Sequence, residues 1–499
     1  MDINQAKEEI KNAMVAYFTK NEMGDYVIPQ EKQRPIFLMG PPGIGKTAIM
    51  EQIASEMDVG LLSYSMTHHT RQSALGLPFI SKKVYDGVEY NISEYTMSEI
   101  IASVYDMMED TGVKEGILFL DEINCVSETL SPIMLQFLQY KVFGKHKVPK
   151  GWVVVTAGNP LEFNNSAKDF DIVTWDRLKR IDVEPNFECW KKYAYKAKIH
   201  PSIVSFLDVK TNYFYKIETT VNGKSFATAR GWEDLSQMIL LYELNNIEVT
   251  YDLVSQYIQN RKIAKDFIAY HGLYKKYRSN YQINKILDGN IDDVTKKKAE
   301  KAPFDEKLAI ISLLIEGLTN ISSEIIETDC VFSNVRTDIV NLKQLTKVKE
   351  VVNKIDYLVE KRQGNIIKNK QANKISARDI AVIKKSIALL ETIKQDLLNA
   401  ENPNFEIVRK TFNSYVNKHK KNVTKAKDNY TNVFNFVSDV FGEENELLIF
   451  IAELTTNFYT ANYINTYGCD EYYKYNKKMY FSDRQKELLK EIQLLEIEK

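Results

Sequence analysis

A glycine-rich segment joins a short apolar run to an amphipathic stretch, and it limits the folds that this sequence can adopt. Residues 36–39 are apolar, and a predicted helix begins at Ala48. The segment between them reads Gly40-Pro41-Pro42-Gly43-Ile44-Gly45-Lys46-Thr47. It satisfies the pattern G-x-x-x-x-G-K-S/T, in which glycines let backbone N–H groups converge on a phosphate. The pattern therefore predicts a phosphate-binding loop, with Lys46 bridging phosphates and Thr47 offering its hydroxyl to Mg²⁺.

Two carboxylates follow a second apolar run at residues 117–120. In a parallel sheet, ligands bind beyond the carboxyl ends of the strands, and Asp121 and Glu122 would lie there. Asp121 is predicted to hold the Mg²⁺ ion, and Glu122 to polarise the water that attacks the terminal phosphate. Two acids after a strand are common by chance, so this prediction depends on their partnership with residues 40–47.

A third apolar run, residues 153–157, is followed by Gly158-Asn159-Pro160. From a neighbouring strand, Asn159 could contact the same water or the terminal phosphate. Taken alone, the Asn-Pro pair is more simply interpreted as a turn that follows a strand. A role for Asn159 therefore depends on the two preceding elements.

The order of apolar and amphipathic segments predicts an α/β fold for roughly the first 180 residues. Near-continuous apolar runs are typical of a parallel sheet sandwiched by helices, and the predicted strands are residues 36–39, 61–65, 117–120 and 152–157. Beyond residue 185 the pattern is helical. We predict an α/β domain at 1–185, a helical lid at 186–287, and, after a polar linker, an all-helical C-terminal region of unknown role at 304–499.

Together, these elements resemble the Walker A loop, Walker B strand and sensor-1 asparagine of AAA+ ATPases. The similarity is to the MoxR-like and dynein-related branch, and it is carried by Asp121-Glu122-Ile123-Asn124, Leu135-Gln136-Phe137-Leu138-Gln139, Ala157-Gly158-Asn159-Pro160 and Gly76-Leu77-Pro78. It covers roughly residues 30–245. The resemblance implies an ATP-binding domain with a helical lid, and Mg²⁺-dependent hydrolysis of ATP.

The resemblance also implies roles for arginines. Residues 226–233 are similar to the start of the sensor-2 helix, which implies that Arg230 reaches the terminal phosphate from the lid. Residues 175–180 resemble the segment that presents an arginine finger to the next subunit, and either Arg177 or Arg180 fits that role. The family usually has Phe after the arginine, whereas this chain has Leu178; we prefer Arg177. A surface ion pair is the alternative for either arginine.

The same resemblance implies a ring, with a hexamer as the expected stoichiometry, because an arginine finger must come from a neighbouring subunit. MoxR-like ATPases often act with proteins that carry a von Willebrand factor A domain. None is recognisable in this sequence, so the expected client or partner is a separate chain. The implied function is chaperone-like, in that ATP hydrolysis remodels or activates a partner protein.

Two other functions are alternatives to this one. The first is an AAA+ nucleic-acid motor of a restriction or defence system. The second is a nucleotide sensor that does not hydrolyse ATP. The sensor is disfavoured because the residues needed for hydrolysis, Lys46, Thr47, Asp121 and Glu122, are all present.

The branch also carries insertions that line a central pore. Residues 79–95 alternate apolar and polar side chains around Asp86-Gly87, which predicts a β-hairpin. Residues 142–150, which contain Gly144 and three lysines, could form a second hairpin immediately before the sensor strand. The basic character of this segment is more simply that of a solvated turn.

Composition excludes several classes of protein. A hydrophobic share of 44% is typical of a globular chain, and 66 Lys and Arg against 67 Asp and Glu disfavour a nucleic-acid partner. The four cysteines lie far apart, as in proteins of a reducing compartment, and the N-terminus is polar. No apolar run approaches the roughly 18 residues that span a bilayer. We therefore expect a cytoplasmic protein without a membrane partner.

Overall fold

The computed structural model describes residues 1–164, 166–220, 223–343, 347–443 and 445–477. Residues 478–499 of the predicted C-terminal helical region therefore lie outside the described residues. Contacts divide the chain into two compact units. The first comprises residues 1–189 with residues 359–383, and the second begins at residue 190 and includes the remaining residues.

The first unit is built on a parallel five-stranded sheet with the strand order β2-β5-β8-β1-β9. In chain order its strands and hairpins are β1 (Ile36–Met39), β2 (Gly60–Ser65), β3 (Pro78–Tyr85), β4 (Val88–Tyr95), β5 (Gly116–Asp121), β6 (Val142–Phe143), β7 (His146–Lys147), β8 (Trp152–Gly158) and β9 (Lys179–Asp182). The four predicted strands are present, with boundaries that differ by one residue at most. The predicted α/β fold is confirmed.

The helices of the first unit cover this sheet. They are α1 (Ile3–Phe18), α2 (Lys46–Met57), α3 (Arg71–Leu75), α4 (Glu99–Thr111), α5 (Ser131–Tyr140) and α6 (Ile172–Trp175). All seven residues of β8 are buried, which explains why this strand reads as a continuous apolar run. In β9 only Ile181 is buried, so this edge strand lacks the apolar run from which the other strands were predicted.

From α7 onward the chain is mainly helical. Its elements are α7 (Phe187–Lys196), α8 (Pro201–Val209), β10 (Lys216–Thr220), β11 (Gly223–Ala227), α9 (Ala229–Leu244), α10 (Tyr251–Tyr257), α11 (Arg261–Asn280), α12 (Ile283–Leu287), α13 (Asp293–Glu300), α14 (Phe304–Leu342), α15 (Val348–Gln371), α16 (Ala377–Leu398), α17 (Phe405–Phe441), α18 (Asn445–Thr456) and α19 (Phe458–Tyr467). The large helical C-terminal region is thereby confirmed over the described residues.

The polar segment 288–303, which was predicted to be a linker, contains helical structure. It contains α13, and Ala299 of this helix is fully buried in the core of the second unit. Only Thr295 and Ala299 of the helix are buried, so the polar composition of the segment gave no indication of a packed helix. The segment is therefore part of the folded second unit.

Helix α14 is the central helix of the second unit, where it packs against α17, α18 and α19. Among the described residues it is the one helix that length and composition would allow to cross a membrane, since an 18-residue window has a mean hydropathy of 1.5. The expectation that no stretch approaches this length is therefore wrong for α14. Because 56% of that window is buried within the protein, α14 has the character of a core helix.

A loop between two long helices covers the outer edge of the sheet. The Leu61 N–H of β2 donates to the Ala372 carbonyl (3.1 Å), and the Asn373 amide donates to the Leu61 carbonyl (3.3 Å). Lys374 forms an ion pair with Asp58 (2.8 Å). These bonds satisfy backbone groups that an edge strand otherwise exposes.

A buried polar cluster joins α8, α9 and α11 in the second unit. Ser202 Oγ lies 2.7 Å from His200 Nδ1 and 3.0 Å from His271 Nδ1, and His200 Nε2 lies 3.2 Å from Glu243 Oε2. Burial lowers the pKa of His271 to about 4, and the nearby His200 and Lys275 act in the same direction. The hydrogen bond with His200 lowers the pKa of Glu243 to about 2.

We expect the second unit to lose stability as the pH falls from about 6.5 toward 4. The unfolded chain binds a proton at His271 near pH 6.5, whereas the folded chain keeps this residue neutral down to about pH 4. Protonation of His271 in the unfolded chain therefore lowers the free energy of unfolding by about 3 kcal/mol near pH 4. This loss of stability vanishes above pH 6.5. Urea unfolding of the wild type and of His271→Asn at several pH values measures it. An equal pH dependence in both proteins would contradict this assignment.

Candidate nucleotide site

The predicted phosphate loop connects the end of β1 to the start of α2. Gly43 and Gly45 have φ values of 73° and 95°, a region of backbone conformation that side chains disfavour. Gly45 precedes the helix without a side-chain cap, so the first N–H groups of α2 remain available to an anion. The helix begins at Lys46, which places Ala48 in its first turn.

The Lys46 ammonium joins the loop to a neighbouring strand. It donates to the carbonyls of Gly40 (2.6 Å) and Pro41 (3.0 Å) and to Oδ1 of Asn159 (2.9 Å). Lys46 is only 8% exposed. The structure thus brings together Lys46 and the predicted sensor asparagine, which are 113 residues apart in the chain.

A hydroxyl and a carboxylate meet beside the loop. Thr47 Oγ1 donates to Oδ2 of Asp121, the last residue of β5, at 3.2 Å. Oxygen atoms of this kind are the ligands that Mg²⁺ prefers. The Thr47 hydroxyl and the Asp121 carboxylate are therefore suitable ligands for the predicted Mg²⁺ ion.

Glu122 has an unusual backbone conformation immediately after β5. Its φ of 56° is rare outside glycine, and such conformations concentrate at functional sites. Its Oε2 atom accepts hydrogen bonds from Ser65 Oγ and Thr67 Oγ1, both at 3.0 Å. Ser65 pairs with Asp121 in the sheet, which brings this hydroxyl beside Glu122.

Three polar residues of this site had no role predicted from the sequence. Ser65 ends the predicted strand 61–65 and Thr67 follows it, and their position at a strand's carboxyl end was an available signal. The third is Asn124, which is 3% exposed and whose side-chain amide donates to the Asn159 carbonyl (2.9 Å). A Cβ atom on Gly158 would lie 2.5 Å from Asn124 Oδ1, so this close approach requires glycine.

Arg177 lies away from the phosphate loop. Arg177 is exposed before β9 and donates to Gln139 Oε1 (2.6 Å). Lys179, two residues later, pairs with Ile36 at the start of β1, whereas the loop follows the end of β1. A four-residue strand is about 13 Å long, so Arg177 lies at the opposite end of the sheet from the loop.

Arg180 lies within β9 and already has partners. Its Nε atom donates to Asp182 Oδ1 (2.9 Å), and its guanidinium lies 4.6 Å from the centroid of the Trp175 ring. The surface ion pair that was the alternative for this arginine is thus present. Arg177 is the less constrained of the two.

Arg230 belongs to the second unit. It is exposed in the first turn of α9, whose N-cap Thr228 accepts a hydrogen bond from the Gly231 N–H (3.2 Å). The helix therefore starts where the sensor-2 resemblance places it.

Both predicted hairpins are present and contact each other. Strands β3 and β4 pair around Asp86 and Gly87, and β6 pairs with β7. Lys145 of the second hairpin forms an ion pair with Glu94 of the first (2.6 Å). This hydrogen bond and one from Lys83 lower the pKa of Glu94 to about 2.

Comparison with known proteins identifies the domain that holds this site. Residues 36–162 match the family described as "ATPase family associated with various cellular activities (AAA)". A search of curated proteins finds no match. A solved structure of a RuvB point mutant from Thermotoga maritima is similar, with 15% identity, 60% of this chain and 75% of that chain covered, and a TM-score of 0.27. A similarity this low supports no conclusion about activity. Residues 36–162, which include the loop, Asp121, Glu122 and Asn159, are therefore an AAA ATPase domain.

Proposed function

We propose that this chain hydrolyses ATP with Mg²⁺ and uses that reaction to remodel or activate a partner protein, as MoxR-like ATPases do. The observation that supports hydrolysis is the convergence of Lys46, Thr47, Asp121, Glu122 and Asn159 at the carboxyl ends of adjacent strands. A site that only binds nucleotide does not need a carboxylate placed as Glu122 is.

Each side chain has a distinct part in this proposal. Lys46 would compensate the charge of the outer phosphates, and Asn159, its present partner, would contact the terminal phosphate. Thr47 and Asp121 would hold Mg²⁺, which supplies charge neutralisation when bound. Ser65 and Thr67 both contact Oε2 of Glu122, so Oε1 is the oxygen that we expect to orient the attacking water.

The proposed active unit is a ring, with a hexamer as the expected form. Arg177 lies at the opposite end of the sheet from its own phosphate loop, so it can act only on the site of another copy. Arg230 would contact the terminal phosphate from the lid, so that ATP binding and hydrolysis change the position of the lid. The partner would be a separate chain, such as a von Willebrand factor A domain protein.

Loss of the Lys46 charge tests nucleotide binding directly. We expect Lys46→Ala to weaken ATP binding by roughly tenfold to hundredfold, because hydrogen bonds to charged groups contribute about 1.5–3 kcal/mol. Titration with a fluorescent ATP analogue measures the affinity, and phosphate release with and without Mg²⁺ measures turnover. The exposed Lys32→Ala is the matched control. Unchanged affinity in Lys46→Ala would remove this residue from the site, and absence of turnover in the wild type would refute hydrolysis.

A further inference from the structure

A groove lies between two long helices of the second unit. Helices α14 and α17 run antiparallel, since Ser322 contacts Tyr430 (2.8 Å) while Asp329, further along α14, contacts His419, which lies earlier on α17 (2.8 Å). Between the last part of α14 and the first half of α17 the groove encloses about 1,070 Å³. Apolar side chains contribute much of its lining, namely Phe332, Val340, Phe412, Val416 and Val423.

The edges of this groove are positively charged. Residues 407–427 contain seven Lys and Arg and no Asp or Glu. Lys420 and Lys427 of α17 and Arg336 of α14 line the groove, and all three are exposed. Asp329 also lines it, but it accepts hydrogen bonds from His419 Nε2 and Tyr467 Oη, both at 2.8 Å. The groove thus presents an apolar floor with a cationic rim.

The shape of the groove fits a helix. Its lining on α14 extends from residue 329 to residue 341, which is about 18 Å or three helical turns. Helices pack into such grooves at interaxial distances of about 8–10 Å. A nucleic-acid backbone would leave the apolar floor without a partner, and a second copy placed symmetrically would bring like charges together.

We propose that this groove binds an amphipathic helix of a partner protein, with the apolar face on the floor and acidic residues against Arg336, Lys420 and Lys427. Recognition of this kind uses apolar anchors at i, i+3, i+4 and i+7. The inference rests on the proposed action on a protein partner and names the chemistry of that partner. Its test measures binding without ATP turnover, so that failure of either proposal can be recognised separately.

The probe is a synthetic 15-residue helical peptide with leucines at this spacing and glutamates on both flanks. Its fluorescence anisotropy is titrated with the full chain, beside a peptide in which lysines replace the glutamates. We expect only the acidic peptide to bind. Triple charge reversal, Arg336→Glu with Lys420→Glu and Lys427→Glu, should weaken binding about tenfold or more. Val340→Asp should have a similar effect, and Val340 is 59% exposed, so this change should not impair folding.

The matched control is Lys418→Glu with Lys421→Glu. Both lysines are exposed on α17 but do not line the groove, and binding should stay within about twofold of wild type. Equal effects of the two charge reversals, or no peptide binding, would overturn the proposal. Tighter binding of a single-stranded oligonucleotide, unaffected by Val340→Asp, would also overturn it. Two further contrary results are peptide binding that appears only after deletion of residues 478–499, and dimerisation of the chain through the groove.

Discussion

Replacement of Arg177 by alanine should reduce ATP turnover about 10³-fold while leaving the nucleotide affinity of the isolated subunit close to that of wild type. An arginine finger stabilises charge that develops in the transition state, so its loss affects the reaction more than binding. Arg177 lies at the end of the sheet opposite its own phosphate loop, so in the proposed ring the stabilised site would belong to another copy. Steady-state phosphate release and equilibrium nucleotide titration measure the two quantities.

Arg180→Ala is the matched control for this experiment. Arg180 is held by Asp182 and lies over Trp175, so its removal should affect turnover far less. If Arg180→Ala abolishes turnover and Arg177→Ala does not, our preference between the two arginines is wrong.

Mixing experiments test whether the site is shared between subunits. Glu122→Gln protein and Arg177→Ala protein, each inactive, should recover some turnover when combined, because some interfaces then contain both intact residues. Specific activity should also rise with protein concentration until assembly is complete. Activity strictly proportional to concentration down to monomeric dilutions, without rescue on mixing, would refute both the ring and the arginine finger.

Glu122→Gln should lower ATP turnover by about 10²-fold or more and leave ATP bound. The amide has the size of the carboxylate but cannot accept a proton from the attacking water. Hydrogen bonds from Ser65 and Thr67 already hold Oε2, and a glutamine can keep one oxygen in that place. The substitution therefore removes basicity with little change in geometry. Phosphate release and retention of labelled ATP on the protein measure the effect.

The control for this substitution is Glu128→Gln, which changes an exposed carboxylate six positions further along the chain. It should leave turnover unchanged. Near-wild-type turnover in Glu122→Gln itself would exclude Glu122 as the catalytic base. Loss of ATP binding in that variant would instead indicate a structural role for the carboxylate.

Features encoded in neighbouring residues could be predicted from the sequence. The phosphate loop, the strands that precede Asp121 and Asn159, and the turn at Asp86-Gly87 each depend on a local spacing of apolar, glycine or charged residues. Local patterns of this kind report backbone conformation and burial directly. They also predicted that Asn159 lies near the terminal phosphate, because parallel strands end at the same edge of a sheet, but they did not predict its hydrogen bond with Lys46.

Other features depend on contacts between distant residues and became apparent only in the folded chain. The hydroxyls of Ser65 and Thr67 reach Glu122 because β2 lies beside β5, an arrangement that strand spacing does not specify. The edge of β2 is covered by Asn373, which is 312 residues from its partner Leu61. Helix α13 is folded because Ala299 reaches a core formed by distant helices. In each case the stabilising contact joins two distant segments, and the local sequence of one segment does not indicate the other. Local propensity therefore could not predict these contacts.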